Sequence, residues 1–171
     1  MEIRKTREQD VEALIALFDE ARGTIAQLGI DQWQNGYPSR EVVYDDLAKD
    51  RTYVVDVGEE ICGTFVLVDD GEPLYDVIEN GAWKTGNDSQ DYVAIHRVAV
   101  SVRMRGKGIS TAIVEYAASF ARSLDRSSLR IDTHEGNVVM RRMLEKHGFV
   151  YCGVIHLANG DPRVAYERVL K

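Results

Sequence analysis

Residues 91–110, DYVAIHRVAVSVRMRGKGIS, constrain the fold of this chain more than any other stretch. An apolar, strand-like run at Tyr92–Val100 passes directly into a short turn rich in arginine and glycine. An amphipathic helix opens behind that turn. Gly106 and Gly108 let the backbone approach a ligand with no Cβ in the way. The first N–H groups of a helix have no acceptor within it, and the helix dipole makes that end attractive to anions. Arg103, Arg105 and Lys107 add positive charge at the same place. Strand, basic glycine turn and helix together predict a cradle for a diphosphate. A Walker loop is excluded, because no GxxxxGK run is present. A dinucleotide fingerprint also fails, because Gly106-Lys107-Gly108 is followed by Ile109, Ser110 and Thr111 rather than by a third glycine. The plainer alternative is a helix that merely starts after a glycine turn.

The flanking pattern predicts alternating strands and helices. Residues 2–5 read as a first strand. Val11, Leu14, Ile15 and Phe18 recur at helical spacing, which predicts a helix over residues 9 to 21, extending to Leu28 with a break at Gly23. Residues 29–38, GIDQWQNGYP, have the composition of a loop. Ser39 is placed to cap a helix over 40–49. Strands at 51–57 and 61–68 meet across Gly58-Glu59 as a hairpin. Residues 70–90 are polar, hold three glycines and a proline, and predict a long loop. After the central strand, Ile109, Ala112, Ile113, Tyr116, Phe120 and Leu124 form one apolar stripe, a core face rather than a cofactor box. A strand at 128–133, a helix at 137–147, a strand at 149–155, a turn at Asn159-Gly160 and a last strand at 163–169 complete the chain. The order predicts an α/β layered domain with a mixed sheet.

At 171 residues with 44% apolar composition, the chain has material for one domain with a real core. No run approaches the ~20 apolar residues that a membrane span needs, and the first residues lack the apolar stretch of a signal peptide. A cytoplasmic location is the expectation. Cys62 and Cys152 lie in separate apolar runs with no neighbouring Cys/His cluster, so buried free thiols are expected and a metal site is not. A net charge of −7 disfavours a nucleic-acid partner and suits a cationic partner such as an amine.

The run Val98-Ala99-Val100, followed by Arg105-Gly106-Lys107-Gly108-Ile109-Ser110, resembles motif A of the GNAT (Gcn5-related N-acetyltransferase) family. Arg105, Gly108 and Ser110 occupy its three fixed positions, with Ser110 where the family has glycine or alanine. Residues 137–149, NVVMRRMLEKHGF, resemble the second signature of that family, an Asn opening a helix that ends in Lys-x-Gly-Phe. The resemblance extends over nearly the whole chain and implies a single GNAT domain over 1–171. It also implies the acyl-CoA N-acyltransferase fold, a mixed, mostly antiparallel central sheet flanked by helices. Its further implication is transfer of an acetyl group from acetyl-CoA to an amine of a small molecule or peptide, in a ternary complex and without a metal. Val98, Ala99 and Val100 would pair with the pantetheine arm, and the N–H of Val98 would steady the thioester oxygen. Arg105, Gly106, Lys107, Gly108, Ile109 and Ser110 would hold the pyrophosphate. Asn137 would bond the arm, or cap its helix, or do both. Similar proteins are often dimers, so a homodimer is an expectation.

An ammonium must lose a proton before its nitrogen can attack, so a base is needed. With period-2 alternation Tyr92, Ala94, His96 and Val98 share one face, with Arg97 on the other. Family members often place a carboxylate base on this strand; of Ala94 and His96 here, only His96 titrates, and imidazole suits the task. A purely structural histidine is the alternative. His134, in Asp132-Thr133-His134, is the second choice, with Asp132 either orienting an imidazole or capping a turn. The tyrosine that protonates the leaving thiolate in the family falls here on Leu144. Tyr151, Tyr116 or water are the substitutes. Trp33, Gln34, Tyr37 and Pro38 either line an amine pocket or close a lid over the core. Asp45, Asp46, Asp69, Asp70 and Asp76 would attract a cation or simply face solvent. The competing functional readings are a non-catalytic acyl-CoA-binding or regulatory domain, kept open by Leu144, and a nucleotide hydrolase, for which no Walker lysine exists.

Overall fold

The computed structural model of the protein describes residues 1–87 and 91–171. The last three residues of the long loop expected at 70–90 therefore lie outside the described part. The described strands are β1 (Glu2–Lys5), β2 (Thr52–Val57), β3 (Glu60–Val68), β4 (Tyr92–Val100), β5 (Ser128–Thr133), β6 (Val150–His156) and β7 (Pro162–Val169). They stand in the order β1-β2-β3-β4-β5-β7-β6. Pairs β1–β2, β2–β3, β5–β7 and β6–β7 are antiparallel, while β4–β5 is parallel. The sheet is mixed, as expected. The helices are α1 (Val11–Ala26), α2 (Arg40–Ala48), α3 (Ile109–Ser123) and α4 (Val138–Lys146). The chain divides into two compact units, one of residues 1–67 with 97–113, the other of 68–96 with 114–171.

In the first unit, α1 and α2 close over the β1–β3 meander. Val11, Leu14, Leu17, Phe18, Val43, Val54 and Ala99 form a buried cluster, with Trp33 and Ile61 packed on its margin. The break expected at Gly23 does not occur. Ile25 is buried, and its burial outweighs the ~1 kcal/mol that glycine costs a helix interior. Ser39 caps α2 as expected, its Oγ accepting from Val42 N at 3.3 Å.

In the second unit, the buried face of α3 holds Val114, Ala117, Ala118 and Ala121. Tyr116 and Phe120 sit at its edge and Leu124 is exposed. Of the expected stripe, Ile109 and Ile113 are fully buried as core, and from residue 114 onward small residues carry most of the buried face. The loop after β3 is more ordered than its polarity suggests. It forms a 3-10 turn at Pro73–Tyr75 and buries Tyr75 and Trp83. It also bridges β6 through Glu79 and Val154, whose N–H groups each donate to the other's carbonyl at 2.8 Å. A fully buried ion pair, Arg130 with Glu167, lies beneath it. Arg130 Nε donates to Glu167 Oε1 at 3.0 Å, and the guanidinium lies between the rings of Trp83 and Tyr92.

Candidate active site

The turn after β4 is tied down before the glycines arrive. Ser101 N donates to Cys62 O at 2.9 Å, and Val102 N donates to Glu20 Oε1 at 2.9 Å. A 3-10 turn at Val102–Met104 follows, and Lys107 N closes onto Met104 O. Gly106 and Gly108 then take φ of +73° and +84°, a region that L side chains rarely adopt. A Cβ built on either meets nothing within 4 Å, so the space above them is open. The N-terminal amides of α3 begin at Ile109. Arg103 is drawn away into an ion pair with Glu60, which leaves Arg105 and Lys107 as the exposed cations of the turn. Open glycine backbone, a helix start and two exposed cations fit the diphosphate of coenzyme A.

The strand that feeds this turn is irregular where the site needs it. Arg97 takes φ of +50° in the middle of β4, which interrupts the pleat, so the alternation expected through His96, Arg97 and Val98 is not kept. Arg97 is fixed by Asp46, with Nε to Oδ2 and Nη2 to Oδ1 both 2.6 Å, and by the hydroxyl of Tyr37 at 2.7 Å. Asp46 is buried in that pair rather than solvated. Among the described residues the β4–β5 ladder ends at Ala94–Arg130, although β4 continues to Val100. Strands that diverge leave main-chain groups for an extended ligand.

His96 sits in a polar, aromatic cluster of the second unit. Its Nε2 is 2.9 Å from Glu72 Oε2, within ion-pair range but without the alignment of a hydrogen bond. The contact sets a carboxylate against one edge of the imidazole. Glu72 is itself held: its N–H donates to Tyr92 Oη at 2.8 Å. The ring of Tyr75 is 5.9 Å from that of His96, and its hydroxyl donates to Asp132 Oδ2 at 2.7 Å. Burial, reinforced by the Asp132 charge, pushes the Tyr75 phenol well above its ordinary range, so it stays protonated. Asp132 thus serves Tyr75 rather than the imidazole of His134. Glu72 and Tyr75 belong to no motif, and the polarity of their loop gave no sign that it folds back onto β4.

Leu144 is fully buried, so the usual tyrosine position is an aliphatic core position here. Tyr151 is exposed, with its ring edge-on to Tyr166, and shares a cavity with His134. Gly136 N donates to His134 Nδ1 at 2.9 Å, which places the imidazole proton on Nε2. Asn137 is buried and caps α4, its Oδ1 accepting from Met140 N at 3.1 Å. In the first unit, Trp33 packs edge-on against Phe18, and Tyr37 lies against Trp33. Gln34 donates to the carbonyls of Arg22 and Gln32. These contacts hold the loop on the α1 core. Among the described residues no group of three or more His, Cys, Asp or Glu is disposed to hold a metal.

The chain spans about a third of the length of one curated relative, an N-acetylaspartate synthetase of Xenopus tropicalis, to which it is 29% identical over 86 residues, 49% of this chain and 32% of that protein. It is 19% identical over 148 residues to the N-acetyltransferase YesJ of Bacillus subtilis, which covers 85% of this chain and 79% of that one. A solved GNAT-family acetyltransferase from Streptococcus agalactiae shares the fold at a TM-score of 0.87 and 31% identity, over 99% of this chain and 95% of that chain. The profile of the acetyltransferase (GNAT) family matches residues 13–149, from α1 through the glycine turn to the Lys-x-Gly-Phe end of α4. Both signatures read in the sequence lie inside that match, and the chain belongs to the GNAT family of acetyltransferases.

Proposed function

We propose that the protein transfers an acetyl group from acetyl-CoA to a primary amine, by direct attack within a ternary complex. The observation that carries this reading is the turn at 105–110, where two left-handed glycines leave open space above the start of α3. Acetyl-CoA supplies an acyl group already activated as a thioester. The amides from Gly106 to Ser110, with Arg105 and Lys107, hold the diphosphate. The main chain of Val98–Val100 takes the pantetheine arm, and the N–H of Val98 donates to the carbonyl oxygen as negative charge gathers there. Asn137, besides capping α4, bonds the arm.

His96 takes the proton that the ammonium must lose. Glu72 stabilises the imidazolium so formed, because a carboxylate 2.9 Å away attracts the ring more strongly once it is charged. The nitrogen then bonds to the acyl carbon, the carbon–sulfur bond breaks, and the thiolate takes a proton from Tyr151 or water. Leu144 favours a second reading, an acyl-CoA sensor with no turnover.

Thiol release from acetyl-CoA against a panel of amines, run beside calorimetric titration with CoA, separates the two. Release with some amine, and its loss in His96→Ala with CoA affinity intact, is expected. Binding without release on any amine would favour the sensor, and absence of binding would overturn both.

A further inference from the structure

A cavity of about 370 Å³ lies in the second unit beyond the C-terminal end of β5, the strand that runs parallel to β4. Ligands of α/β sheets gather at the carboxyl ends of parallel strands. Its polar lining is His134, Glu135, Arg141, Tyr151 and Arg163.

Arg163 decides what the cavity wants. It is 8% exposed, and its described hydrogen bond is from Nη1 to the carbonyl of Pro162 at 2.9 Å. A guanidinium keeps its charge at any working pH, and a buried charge with only a neutral partner is costly. Arg141 is likewise held by neutral acceptors, Nε on Tyr166 Oη and Nη1 on the carbonyl of Glu135, both at 2.9 Å. His134, with its proton on Nε2, adds another donor. Against these stand the carboxylates of Glu135 and Glu145, both exposed to water and both acting on Arg141 rather than on the buried Arg163. The planar forks of two guanidiniums, one of them buried, match the two oxygens of a carboxylate.

We infer that this cavity holds the carboxylate of the acceptor, so that the substrate is an amine that also bears a carboxylate, an amino acid or a short peptide with a free acid group. The inference rests on the acetyltransferase reading. The cavity lies in the same unit as the proposed base. The Tyr75 ring beside His96 bonds Asp132, two residues before His134 on the same stretch of chain. A carboxylate forked by Arg163 and Arg141 would orient the substrate by its acid end, leaving its amine to be presented elsewhere.

The test compares matched acceptors, free amino acids against their primary amides, in steady-state acetylation. It is paired with NMR titration of N-acetylamino acids and N-acetylamino acid amides, which reads binding without turnover. The free acids should show KM values lower than the amides by roughly tenfold or more, the worth of one charge-assisted contact. Arg163→Gln should raise KM for the acids roughly tenfold to a hundredfold, leave the amides unmoved, and be partly rescued in Arg163→Lys. The wild-type comparison of acid with amide decides the question even if a variant fails to fold. Equal use of acids and amides would overturn the carboxylate site and leave acetyl transfer standing. N-acetylamino acids that bind as acids and not as amides, with no amine acetylated, would uphold the site and sink the transfer reading. Neither discrimination in binding nor preference in turnover would overturn the inference.

Discussion

At the scale of single residues, the proposed chemistry rests on His96 and on a partner that the sequence does not mark. The imidazole could be singled out because it is the titratable group on the central strand. Glu72 lies 24 positions upstream in a polar loop, where an acid ordinarily faces water. Replacing His96 with alanine should lower kcat/KM at least about a hundredfold, within the usual worth of a general base, measured as thiol release at saturating acetyl-CoA. Glu72→Gln should cost roughly tenfold in kcat while leaving CoA affinity unchanged by calorimetry, since one charge-assisted contact is worth about 1.5 kcal/mol. The thiols make a contrast. Burial raises both Cys62 and Cys152, helped by the nearby charges of Glu60 and Glu167 respectively, so neither forms a ready thiolate. Ellman's reagent should find no reactive thiol in the native protein and two in denaturant.

At the scale of elements, the sequence was most legible where periodicity and turn chemistry agreed. The succession of strand, glycine turn and helix at 92–123 is where its residues place it, and the Ser39 cap is where its hydroxyl predicted it. What periodicity missed are places where long-range packing overrules a local rule. Gly23 continues α1 because Ile25 needs to be buried, and Arg97 leaves the pleat because Asp46 and Tyr37 hold its guanidinium. The glycine turn yields a separable prediction. Gly108→Val must hold a φ of +84°, at a cost of about 1–2 kcal/mol in stability, and its side chain would enter the open space above the turn. Calorimetry should show CoA binding weakened by more than that stability loss, read from thermal melts, can explain. Equal losses would mean that the glycine serves the fold alone.

At the scale of the whole molecule, stability depends on a buried charge that composition gives no hint of. Glu167 is fully buried, yet its carboxyl lies below the usual value near 4.5. Burial pushes it up, but hydrogen bonds from Ser128 and Thr85 and the charge of Arg130 outweigh that. A carboxylate lowered by folding adds stability above its unfolded value, and that contribution is lost as pH falls through the folded one. Acid denaturation should therefore begin below about pH 4.5 and be blunted in Glu167→Gln, which should be less stable than the parent by about 3–5 kcal/mol at neutral pH, because Arg130 is left buried and unpaired. The loop that covers this pair has one more consequence. β6 ends the order of strands, and a terminal strand offers bare amides to any passing chain. Glu79 occupies the edge at Val154, and Gly81 and Gly153 lie so close to the facing backbone that a Cβ on Gly81 would fall 1.9 Å from Cys152 O. Glu79 thus fills the position at Val154 where an added strand would pair, seated by Gly81 and Gly153. Gly81→Val should unseat it and raise association through β6, read as a growing mass by light scattering relative to the parent.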